Sequence, residues 1–215
     1  MITLDSVYVS YQSREGRHDV LSGISAQFEP GLNIGIVGSK GCGKTTLLRL
    51  LGGHIRPTAG FVTRAGKVSW PLTSLRPLAK TLSIRDNIRF LASIYDVPVG
   101  PLTRRAADLS KLYEYLDVKA ERLPHHFAMQ AVYSICLAMD FDYYLADESL
   151  FVGNEDFRQR VGSYLDAMRG QRTLILASRN ARLIQRHCDI AYILHEGRLS
   201  RYDDPNQAAS AFKAI

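Results

Sequence analysis

The chain opens on strand-like patterning and changes to short apolar runs separated by helical spacing. Residues 2–11 (Ile-Thr-Leu-Asp-Ser-Val-Tyr-Val-Ser-Tyr) are rich in β-formers and predict a strand. Residues 12–19 are polar and predict a turn, residues 20–28 a second strand, and Glu29-Pro30-Gly31 another turn. Residues 33–37 form a short apolar run of the kind found in buried parallel strands. A helix is expected over 45–52 and a strand over 60–70. From 83 to 116 the spacing is mainly helical, broken at Pro98-Val99-Gly100-Pro101, and 127–139 predicts another helix. Strand 143–146, helix 155–169 and strands 173–177 and 191–194 follow. A β-rich start followed by βα alternation predicts an α/β fold with an N-terminal antiparallel β layer and a helical insertion.

The length of 215 residues fits one domain. With 46% hydrophobic and 22% charged residues, the chain is globular and needs neither disulfides nor a structural metal for its core. Cys42, Cys136 and Cys188 are scattered and odd in number, so they imply no disulfide framework and point to a reducing, cytosolic compartment. No solenoid-period repeat and no low-complexity tract interrupts the chain. Apolar runs such as 47–51 and 174–177 fall far below the ~18 residues of a spanning helix. The first ten residues lack a basic start and carry Asp5, unlike a signal peptide. The net charge of +6 fits either a solvated basic surface or an anionic partner such as nucleotide, nucleic acid or lipid.

Residues 38–45 read Gly38-Ser39-Lys40-Gly41-Cys42-Gly43-Lys44-Thr45, the P-loop spacing, between an expected strand and an expected helix. Glycines let the backbone wrap a phosphate with its N–H groups inward, and a helix N-terminus adds positive potential. Lys44 is expected to reach the β- and γ-phosphates, and Thr45 to offer its hydroxyl to Mg²⁺. Cys42 is either a tolerated small residue or a thiol whose oxidation blocks nucleotide. A second strand should bring a carboxylate, and 143–148 (Tyr-Tyr-Leu-Ala-Asp-Glu) is an apolar run ending in two acids. Asp147 is expected to hold Mg²⁺ through water, and Glu148 to polarise the attacking water as the catalytic base.

On these motifs the chain resembles the ATP-binding subunits of ABC transporters. The segments Trp70-Pro71-Leu72, Arg85-Asp86-Asn87-Ile88-Arg89-Phe90 with Ile94-Tyr95, and Phe141 to Glu148 are similar to the ATPase component of capsular-polysaccharide exporters of the polysialic acid type. Cys188-Asp189-Ile190 and Leu194-His195-Glu196-Gly197-Arg198-Leu199 resemble the strand and turn that close such domains. The resemblance implies one nucleotide-binding domain over 1–215 with a P-loop NTPase core and a helical subdomain at about 80–140. It implies ATP and Mg²⁺ as cofactors, with nucleotide contacts from residues 38–45 and Thr46 and an adenine-stacking aromatic at Tyr11. Tyr8 is a nearby competitor for that stacking role. It further implies a membrane-spanning permease partner, a second ATP-binding subunit in a homo- or heterodimer, and a peripheral place on the cytoplasmic face of the inner membrane. Trp70, Phe90 and Tyr95 are either core or a seat for the permease. Arg104-Arg105 and Lys111 form no basic stripe with interleaved aromatics, so no nucleic-acid partner is expected.

Four positions depart from the family pattern. The signature segment, usually Leu-Ser-Gly-Gly-Gln, reads Leu123-Pro124-His125-His126-Phe127, where Pro124 has no N–H to give and suits the first turn of a helix. The loop that carries a sensor glutamine reads Leu75-Arg76-Pro77-Leu78-Ala79-Lys80-Thr81, with Ala79 nearest its place. Arg179 occupies the switch-histidine position, and Val152-Gly153-Asn154 stands where an aspartate loop is usual. Two functions stay open on the sequence: an ATP hydrolase driving export, or a degenerate subunit that binds ATP with a structural or regulatory role. His125, His126 or Arg179 are the candidates for substitute contacts.

Overall fold

A computed structural model describes residues 1–13, 16–73, 75, 77–151 and 153–215. Arg14 and Glu15 of the expected first turn, Arg76 of the sensor loop and Val152 of the loop after Glu148 lie outside the described residues. The chain divides into two compact units, one built from 1–71, 141–148 and 168–215, the other from 72–140 and 149–167.

The first unit holds two sheets. Strands β1 (Ile2–Ser13), β2 (Gly16–Phe28) and β4 (Ala59–Arg64) form an antiparallel layer in the order β2-β1-β4. Strands β3 (Ile34–Val37), β5 (Tyr143–Asp147), β6 (Thr173–Ser178), β7 (Ile190–His195) and β8 (Arg198–Tyr202) form the second sheet, ordered β5-β6-β3-β7-β8. β5, β6, β3 and β7 run parallel, and β8 closes the sheet antiparallel to β7. All four residues of β3 and all six of β6 are buried, which is why both read as unbroken apolar runs. Helices α1 (Lys44–Leu51), α6 (Ala181–His187) and α7 (Pro205–Lys213) complete the unit. The core joins Phe28, Ile34, Ile36, Leu47, Leu50, Tyr143, Leu145 and Ile175. Gly35 lies where α6 presses closest, since a Cβ there would sit 2.2 Å from Ile184 Cγ2.

The second unit contains α2 (Ile84–Tyr95), α3 (Val99–Ser110), α4 (His125–Ala138) and most of α5 (Glu155–Met168). Ser83 caps α2 by accepting from the Asp86 N–H, and Asp96 ends it at φ +52°. Asn87, fully buried, accepts from the Ala79 N–H at 2.7 Å and donates to the Ala79, Leu82 and Ser83 carbonyls. That side chain fastens the loop before α2.

Several expectations are corrected in detail. The strand expected over 60–70 ends at Arg64, and Val68 adds an isolated bridge to Tyr143. The helical break lies at 96–98, because Pro98 is the N-cap of α3 and Pro101 fits its first turn. α6, β8 and α7 were not anticipated as elements. Trp70 is 6% exposed and stacks edge-on against Phe141 at 5.7 Å, so it is core, whereas Phe90 and Ile94 are exposed on α2.

Candidate functional site

The loop between β3 and α1 is shaped by glycines. Gly41 and Gly43 hold φ +84° and +106°, which side chains rarely adopt. A Cβ on Gly38 would lie 2.6 Å from the Leu194 carbonyl oxygen, so only glycine fits that approach. Gly43 is the N-cap of α1, supplies no capping side chain, and is followed by no acidic residue in the first turn. The amides of Gly41, Gly43, Lys44 and Thr45 have no protein acceptor among the described residues. Unpaired donors at the positive end of a helix form an anion cradle. Lys44 Nζ folds over the loop and donates to the Gly38 and Ser39 carbonyls, both at 2.7 Å, and to Cys42 Sγ at 3.6 Å. At the other end of α1, Arg64 reaches from β4 to donate to the Leu51 carbonyl at 2.7 Å and to the Leu50 carbonyl. A cation there satisfies the last carbonyls and complements the helix dipole.

Strand register brings the remaining groups to the same sheet edge. Val37 pairs with Ser178 and Asp147 with Ala177, so the loops after β3, β5 and β6 emerge together. Lys40, Lys44, Thr45, Asp147, Glu148 and Arg179 line one cleft of about 180 Å³. A threonine hydroxyl and a carboxylate are the hard oxygen donors that Mg²⁺ accepts beside phosphate oxygens. The residues therefore fit a magnesium–polyphosphate pair.

Glu148 is held by the end of β6. Its Oε2 accepts from Ser178 Oγ at 2.7 Å and from the Arg179 amide at 3.0 Å. Its Oε1 accepts from Arg179 Nε at 3.2 Å. Partial burial works to raise the carboxyl pKa, but the bonds from Ser178 and Arg179 outweigh it and leave it below its ordinary value. Sequence reasoning did not assign Ser178 this task. Its signal was available, as the polar end of an apolar strand next to a position already singled out.

Tyr11 and Thr46 meet across the layer, with their hydroxyls 3.5 Å apart. Tyr11 and Tyr8 are equally exposed, at 42% and 41%, but Tyr8 lies against Gly23, whereas the Tyr11 hydroxyl reaches Thr46 on the P-loop helix. Three of the four departures fall in the second unit, and the fourth, Arg179, in the first. Pro124 is the N-cap of α4 rather than part of its first turn, and His125 and His126 are its exposed first residues. The His126 ring lies 4.3 Å from the ring of Phe127. Asn154 accepts from the Phe157 amide at 2.9 Å and starts α5.

Comparison with known proteins identifies the family and the fold. A family model described as ABC transporter matches residues 21–148. The capsule polysaccharide export ATP-binding protein CtrD of Neisseria meningitidis is 32% identical over 215 residues, covering all of both chains. ATP-binding protein BexA of Haemophilus influenzae is 32% identical, covering 97% of this chain and 96% of its own. The polysialic acid transport ATP-binding protein KpsT of Escherichia coli is 31% identical, covering 99% of each. Among solved structures, a dimeric ATP-binding cassette in a post-hydrolysis state with ADP and Pi superimposes with a TM-score of 0.83 at 16% identity, over 94% of this chain and 98% of its own. An ATP-binding subunit of an ABC transporter reaches 0.86 at 14% identity, over 100% and 95%.

Proposed function

Because the chain belongs to the ABC transporter family, we propose that it is the ATP-binding subunit of an exporter of capsular or other cell-surface polysaccharide. The observation that carries this is the single cleft joining Lys44 and Thr45 to Asp147 and Glu148, in a chain similar end to end to capsule-export ATP-binding proteins. In this reading residues 38–46 hold the phosphates through backbone amides and Lys44, and Tyr11 supports the base. Thr45 and Asp147 hold Mg²⁺, which supplies charge neutralisation between the phosphates. Glu148 orients the attacking water and takes up its proton. The cycle drives a separate membrane-spanning subunit. The position is peripheral, on the cytoplasmic face of the inner membrane; among the described residues no helix is long and apolar enough to cross a membrane. A second ATP-binding subunit completes the assembly.

One observation favours a second reading, a subunit that binds ATP with little or no hydrolysis. Glu148 is tied on both oxygens by Ser178 and Arg179, which lowers its basicity. Isothermal titration and phosphate release on the purified chain, beside Lys44→Ala and Glu148→Gln, separate the readings. Lys44→Ala is expected to lose at least about 10-fold in ATP affinity, as removal of a charge-assisted phosphate contact does. Phosphate release that stops in Glu148→Gln supports the hydrolase. Binding without Glu148-dependent release supports the second reading, and absence of ATP binding rejects both.

A further inference from the structure

Strand β8 carries a row of polar side chains that the protein leaves unused. Successive strand residues point to opposite faces, so Arg198, Ser200 and Tyr202 share one face, and Leu199 and Arg201 the other. Register with β7 sets Arg198 beside His195 and Ser200 beside Ile193. On the opposite face Arg201 is pinned by Glu29 and Asp203. Among the described residues Arg198 has no such carboxylate, and the hydroxyls of Ser22, Ser200 and Tyr202 have no hydrogen-bond partner. Ser22 reaches the same place from β2, where its amide donates to the Gly197 carbonyl at 2.8 Å. These side chains line one cleft of about 550 Å³, with the buried Ile193 among its walls. That volume lies within the range of small-molecule sites.

We propose that this cleft binds an acidic saccharide, with its carboxylate on Arg198 and its hydroxyls on Ser22, Ser200 and Tyr202. The class of ligand rests on the polysaccharide-export reading above. A guanidinium fork suits a planar carboxylate, and side-chain hydroxyls both donate to and accept from sugar hydroxyls. Tyr202 adds a ring with an apolar body and a polar tip, suited to a sugar face. A simple inorganic anion would use Arg198 and leave the three hydroxyls idle. The cleft also lies close to the phosphate loop: Leu194, next to His195, turns its carbonyl to Gly38, where a Cβ would lie 2.6 Å away. A saccharide held beside His195 is therefore one residue from backbone that supports the P-loop. An edge strand kept polar only to deter pairing predicts no saccharide selectivity.

The test is calorimetric titration of the intact chain with trigalacturonate, maltotriose and inorganic phosphate, comparing wild type, Arg198→Gln and Tyr202→Ala. Melting curves first establish that each variant is folded, and the exposed Arg198→Gln site keeps the test decisive where Tyr202→Ala unfolds. Wild type is expected to bind trigalacturonate at least about 10-fold more tightly than either maltotriose or phosphate, and Arg198→Gln to lose about 10-fold of that affinity, as one charge-assisted contact does. Absence of trigalacturonate binding, phosphate binding as tight as trigalacturonate, or an Arg198→Gln affinity equal to wild type overturns the site. Mg·ATP titrated into the same preparations keeps the two readings apart. ATP binding without saccharide binding overturns the site alone, whereas saccharide binding without ATP binding supports the site and overturns the ATP reading.

Discussion

Glu148 shows how a few donors set the chemistry of one carboxylate. Partial burial opposes its charge, and Ser178 and Arg179 restore it. A group whose native pKa is depressed stabilises the fold above its ordinary pKa, and that contribution is lost as pH falls through the lowered native value. Wild type is therefore expected to melt above Glu148→Gln at neutral pH, with the gap closing as the solution is acidified below the carboxylate range. Melting temperatures taken across pH test this without nucleotide, and a gap independent of pH would contradict it. In the proposed role as a base the same three bonds would restrain the residue, because an attacking water would have to compete with Arg179 for Oε1.

Elements divide into those legible from the sequence and those fixed only by tertiary neighbours. The P-loop, the buried strands β3, β5 and β6, and the antiparallel start could be read because their patterns are local: glycine spacing, unbroken apolar runs, β-former alternation. Lys44, Thr45, Asp147 and Glu148 could be singled out as candidates for the same reason, and one cleft brings all four together. α6, β8 and α7 were not. α6 has seven residues and β8 has only exposed and half-buried positions without strict alternation, so neither carries a periodic signal. The Ser178–Glu148 bond was hidden because it depends on parallel register, which links residues thirty apart. Gly35 gives a test at this scale. A methyl group there would meet Ile184 at 2.2 Å and force α6 away from β3. Gly35→Ala is expected to cost about 1–3 kcal/mol, read as a fall in Tm of about 2–10 °C.

For the whole molecule, the two units differ in how far they keep the family's pattern. The first retains the phosphate loop and both acids, whereas in the second α4 starts with Pro124, which has no N–H, and two exposed histidines. In the resemblance, that helix start is what each subunit offers to its partner's nucleotide. Glu148→Gln with Mg·ATP is accordingly expected to stay monomeric alone and to dimerise only with a cassette carrying an intact signature. Sedimentation velocity of the single and mixed proteins tests this, and an ATP-dependent homodimer would sink it. The register of β6 has one more consequence. Both faces of this strand are buried, so a shift by one residue would exchange apolar side chains for apolar side chains, with little penalty from burial alone. What tells the shifted pairing from the correct one is polar fastening at its two ends: Thr173 accepting from the Gly31 amide at 2.8 Å, and Ser178 donating to Glu148. The acid proposed to handle water thus doubles as an alignment pin for the central sheet.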